Sequence, residues 1–215
     1  AMPAKATSFS LGNLILALRR PCVGPLLGIR LAYSLAFVLF QSYFALYALD
    51  YLQLDVQYTS YILTYVGILS VLVQGVAISP LTAWFSERRL MAMGAVTMAV
   101  SLAAWGIVPD VWLLLVVLAP IALAGGVLNV VLTSQLTKAI HREEVGGTLG
   151  LSNSMQTIAQ IITPGIGGLM LEQLGAWSLG TAGGLIMFGT WIYIQSYLRK
   201  QPELSGPCPQ PEPAK

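Results

Sequence analysis

The chain has 215 residues, of which 56% are hydrophobic and only 9% charged, with a formal net charge of +2 and a mean hydropathy of +0.73. A soluble domain carries about 25% charged residues, so this composition excludes a soluble globular domain, whose surface it could not cover. A charge of +2 is too small to mark a nucleic-acid partner.

The stretch Phe9–Leu18 is short and amphipathic and is followed by Arg19 and Arg20. It reads either as a helix lying on the inner membrane surface or as a plain linker. Residues 1–24 are therefore expected to form a cytoplasmic linker segment. A membrane span needs about 20 mostly apolar residues. Six such runs follow within residues 25–198, at Leu31–Leu49, Tyr61–Phe85, Leu90–Val108, Trp112–Thr133, Leu149–Leu171 and Trp177–Tyr197. Residues 199–215 hold Pro202, Pro207, Pro209, Pro211 and Pro213 with no apolar face, the composition of a disordered tail. The six-span segment reads as an all-α membrane domain.

The loops orient it. Arg19, Arg20 and Arg30 precede the first span, Arg88 and Arg89 follow the second, Lys138 and Arg142 the fourth, and Arg199 and Lys200 the sixth. The intervening loops hold only acids: Asp50 and Asp55, Asp110, and Glu172. The positive-inside rule then puts both termini in the cytoplasm. Arg30 is expected to snorkel from the inner edge, which leaves no ionisable group near mid-membrane. Cys22 and Cys208 are expected to be free thiols. With His141 as the one histidine, neither a metal site nor a cofactor is predicted. No nucleophile motif or paired carboxylate points to an enzyme.

The spans carry uncharged polarity instead. Tyr33, Phe37, Phe40, Phe44 and Tyr47 form one stripe on the first span, with Gln41 beside it. The stripe reads either as the aromatic wall of a solute cavity or as helix packing or lipid contact, with Tyr33 and Tyr47 as interfacial anchors. Asn129 and Thr133 share a face of the fourth span. Asn153, Gln156, Thr157 and Gln160 share one on the fifth. Amides in hydrocarbon need partners, so these faces point at water, solute or another helix. Phe40, Gln41, Phe44, Asn129, Thr133, Asn153, Gln156 and Gln160 are the cavity candidates. The fifth span also holds a small-residue ladder, Gly146, Gly150 and Ser154, and is expected to break or loosen at Pro164, Gly165, Gly167 and Gly168.

The run from Gln74-Gly75 through Ser79-Pro80-Leu81 to Glu87-Arg88-Arg89 and Gly94 resembles the loop between helices eight and nine of tetracycline-efflux-like carriers of the major facilitator superfamily. Asn129, Gln135, Glu144, Gly146, Gly150, Ser154, Pro164 and Gly168 resemble their helices ten and eleven. The likeness covers about residues 20–198 and extends to organic-cation-transporter-like members. Ser86 replaces the usual glycine of the loop, and Trp84 stands where a basic residue is common.

The resemblance implies the C-terminal six-helix half of a secondary transporter, built as two inverted three-helix repeats. Such a half would export drugs or organic solutes by proton antiport while rocking against an N-terminal half or second subunit in the lipid bilayer. It also implies a gating role for Glu87, Arg88 and Arg89. The chain would then be a fragment, one product of a split gene, or half of a homodimer. The alternative is a six-helix membrane subunit that does not itself transport.

Overall fold

A computed structural model describes residues 23–50, 52–108, 110–140, 145–175 and 177–200. The surface-helix segment, both cysteines, the charged cluster at 141–144 and the proline-rich tail lie outside these residues.

The described chain is helical throughout and forms six rods. The first is α1 (Val23–Asp50). The second is α2 (Val56–Leu72), running through one π-helical turn (Val73–Ala77) into α3 (Ile78–Trp84). The others are α4 (Glu87–Trp105), α5 (Val111–Lys138), α6 (Val145–Leu174) and α7 (Trp177–Lys200). By length and composition, Val23–Leu49, Val56–Trp84 and Val111–Lys138 are fit to cross a membrane.

Local chemistry sets the ends. The Asp55 side chain accepts from the Val56 amide and caps α2. Pro80, without an N–H for the carbonyl one turn back, is the third residue after the π turn. Gly175, at φ +83°, supplies the left-handed residue that closes α6 before α7.

Two differences from expectation bear on the site. α1 begins eight residues before the predicted span, because Val23–Ile29 is itself apolar and Arg30 interrupts the hydropathy without interrupting the helix. α6 does not break at Pro164 and runs as one helix through the whole proline–glycine element.

The third rod packs most extensively on the sixth and fourth, the first on the fifth and sixth, and the second on the fourth. Exchanging first with fourth, second with fifth and third with sixth maps this packing scheme onto itself. Small residues bring α4 and α7 together. A Cβ on Gly180 would lie 2.7–2.8 Å from Gly106 backbone atoms, and one on Gly184 would lie 3.0 Å from the Ala99 carbonyl and the Ala103 Cβ. The ladder at Gly146 and Gly150 meets nothing among the described residues and is exposed. The core centres on α1, α4 and α5, with Phe44, Met98, Trp105, Leu118 and Leu132 fully buried.

Candidate functional site

Arg30 lies seven residues into α1, about 10 Å along the rod. It is 5% exposed and does not snorkel. Its Nη1 donates to Asn129 Oδ1 on α5 at 2.6 Å, and its Nη2 to Gln156 Oε1 on α6 at 3.3 Å. One guanidinium thus ties three rods together. The Tyr33 ring, one turn on, lies 5.8 Å from the guanidinium carbon, while its hydroxyl donates to the Gly125 carbonyl at 3.0 Å. The Arg30 Nε is buried with no partner among the described residues. Both amides turn their oxygens toward the cation, which leaves their NH2 groups without a protein acceptor among the described residues.

The other amides of α6 face outward. Asn153 and Gln160, flanking Gln156 by about a turn on either side, are exposed, as is Gln41 on α1. Thr133 is half-buried and donates back to the Asn129 carbonyl at 2.8 Å. Phe40 and Phe44 lie in the core rather than along an open wall. Phe40 meets Trp105 edge-on at 5.2 Å and Phe44 at 5.5 Å. Tyr47 also meets Trp105, and its hydroxyl donates to the Val108 carbonyl at 2.7 Å. Of the two roles open to the aromatic stripe, packing describes these residues.

The Pro164 element is gripped from α1. The Tyr43 hydroxyl donates to the Pro164 carbonyl at 2.6 Å. Its ring lies so close over Gly167 that a Cβ there would overlap it, and a Cβ on Gly168 would meet its hydroxyl at 3.3 Å. Gly165 faces open space.

At the end of the bundle where α4 starts and α5 stops, Glu87 accepts from Lys138 Nζ at 2.7 Å, from Ser134 Oγ at 3.0 Å and from Gln135 Nε2. Burial pushes the Glu87 carboxyl up, but the bonds from Lys138, Gln135 and Ser134 outweigh it and hold the group below its ordinary value of 4.5. The acid stands in the first turn of its helix and the lysine in the last turn of its own, each favoured by the local helix dipole. Arg88 is half-buried and Arg89 exposed.

Sequence patterns missed the partners Ser134, Gln135 and Lys138 of Glu87, the clamp by Tyr43, and above all Arg30. The available signal was an apolar run on both sides of a single arginine, which marks a charge inside a helix rather than at its edge.

A groove of about 370 Å3 between α1 and α7 is lined by Gly28, Ile29, Ala32, Ile186, Gly189, Thr190 and Tyr193. It is separate from the Arg30 cluster.

The family model described as Major Facilitator Superfamily matches residues 26–214. Solute carrier family 22 member 18 of Mus musculus is 29% identical over 171 residues, covering 80% of this chain and 42% of that protein. The protein of that name from Rattus norvegicus is 29% identical over 142 residues, covering 66% of this chain and 34% of its own length. Solute carrier family 67 member A1 of Homo sapiens is 28% identical over 171 residues, covering 80% of this chain and 40% of its own. The chain therefore spans well under half the length of these relatives. These matches are to a transport family and to solute carriers, so the chain is no enzyme; it is an integral membrane protein and belongs to the major facilitator superfamily.

Proposed function

We propose that this chain works as the C-terminal half of a secondary transporter that moves small organic solutes by alternating access, with six spans, both termini in the cytoplasm and a second six-helix half opposite. The observation that carries this reading is the exposure of Asn153 and Gln160 on α6, with Gln160 at the midpoint of the rod. An amide facing hydrocarbon is costly, so this face meets water, solute or the other half. Ile161, Ile162 and Ile166 are exposed beside Gln160 and give the other half an apolar surface to pack on.

The packing scheme supports two three-helix repeats. An odd number of spans per repeat inverts the second relative to the first, and exchanging the repeats preserves every main contact. Charge supports the orientation. Arg88, Arg89 and Lys138 share one end of the bundle with Glu87, while Asp55, Asp110 and Glu172 stand at helix ends facing the other way. The described spans contain no carboxylate in their interior, so proton coupling, and with it drug:proton antiport, falls to acids of the opposite half.

The test is to reconstitute the chain with a cognate N-terminal half in vesicles and impose a pH gradient. Solute should accumulate uphill only when both are present. Accumulation by this chain alone would overturn the half-carrier reading. No accumulation by a folded, assembled pair would favour a non-transporting membrane subunit.

A further inference from the structure

We infer that Arg30, Asn129 and Gln156 form a carboxylate-binding site, where the carrier takes up the anionic group of an organic acid. The inference rests on the reading above only in assuming that solute passes beside α6.

The cluster is, among the described residues, a buried cation without a counter-charge. Among the described residues the carboxylates of Asp55, Glu87, Asp110 and Glu172 all lie at rod ends, and Glu87 is already engaged with Lys138. Arg30 touches none of them, and its partners are two neutral amides and an aromatic ring. Amide oxygens solvate a guanidinium but do not neutralise it. An unneutralised charge this deeply buried is unfavourable until an anion joins it.

The hydrogen-bond inventory selects the anion. Both amide oxygens are committed to the guanidinium, so what the cluster leaves unpaired is donors: the buried Arg30 Nε–H and the NH2 groups of Asn129 and Gln156. Unpaired donors around a cation fit a group that only accepts, and an ionised carboxylate is such a group. Arginine presents its N–H groups as a planar fork that a carboxylate bridges with two bonds. Gln156 links the cluster to the exposed amides Asn153 and Gln160, and so to the face from which solute would arrive.

The test uses the 215-residue chain in phosphatidylcholine nanodiscs, with radiolabelled benzoate as the probe and benzamide as its neutral isostere. Benzoate should bind saturably and raise the thermal unfolding midpoint, and benzamide should do neither. Arg30→Gln should weaken benzoate binding roughly tenfold or more, with Arg30→Lys, which keeps the charge and loses the fork, in between. Asn129→Asp places a carboxylate inside the cluster, and it should abolish benzoate binding while raising the thermal midpoint without ligand. If Arg30→Gln fails to fold, the comparison of benzoate with benzamide on the unaltered chain and the Asn129→Asp result still decide.

Absence of saturable benzoate binding by the folded chain, equal competition by benzamide, or unchanged binding in Arg30→Gln would overturn the site. So would binding by this chain that disappears on assembly with the opposite half, which would make the counter-charge a carboxylate of that half and not a solute. Binding is read on this chain alone and uptake on the assembled pair, so each reading can fail without the other.

Discussion

The Tyr43 hydroxyl donates a 2.6 Å hydrogen bond to the carbonyl of Pro164, at the residue whose own N–H is missing from the α6 ladder. The same side chain closes over Gly167, so α1 clamps α6 where the sequence alone would loosen it. Gly167→Ala should destabilise the chain by about 1–3 kcal/mol, because its Cβ would overlap the Tyr43 ring and lie 3.0 Å from Leu39 Cδ1. Gly165→Ala meets open space and should be neutral or stabilising. Thermal unfolding in detergent compares them, and equal midpoints would show that the clamp does not constrain α6.

Gln156 and Gln160 lie one turn apart on α6 with different partners, and leucine should separate them. Gln156→Leu removes an acceptor from the buried Arg30, so about 1–3 kcal/mol of stability should go with it. Gln160→Leu removes an exposed amide and should leave unfolding unchanged while altering solute affinity in the assembled carrier. Equal loss of folding yield in both, with affinity untouched, would make both amides structural.

The Glu87 cluster predicts a pH dependence. Its folded-state value lies below the ordinary 4.5, so the folded chain holds this proton less tightly than the unfolded chain. The stabilisation is fully present above pH 4.5 and is lost as pH falls through the lower folded value. Unfolding midpoints should therefore drop below pH 4.5 more steeply in the native chain than in Glu87→Gln. Parallel curves would show that the contacts with Lys138, Gln135 and Ser134 contribute nothing to folding.

Ser86 and Gln53 are both exposed and lie at opposite ends of the second rod. In a background with Cys22 and Cys208 replaced, Ser86→Cys should react with an impermeant maleimide only from the cytoplasmic side and Gln53→Cys only from the outside. Labelling of both from one face would exclude the six-span topology.

Helix content, the number of rods and the placement of charge at their ends were legible in the sequence. They depend on quantities that add along a chain: apolar length, turn chemistry at Asp55 and Gly175, and the sign of each loop. The amide faces were legible as well, since residues three and four apart share a helix face whatever surrounds it.

Which neighbour each face meets is a property of three rods at once, and only the tertiary structure decided it. Asn129 and Gln156 turn inward because Arg30, 99 and 126 residues away in sequence, offers them donors. Asn153 and Gln160, on the same α6 stripe as Gln156, make no such bond to a cation among the described residues and stay outside. Phe40 goes to the core because Trp105 closes on it from α4, and Phe44 packs on Phe40 there. The glycines that join helices are Gly180 and Gly184 rather than the equally spaced Gly146 and Gly150, because a small residue brings two rods together only where another backbone lies opposite. Arg30 is the sharpest case. A hydropathy window reads an arginine as the edge of a span, whereas in the fold two amides from distant helices solvate it, which allows the charge to remain inside.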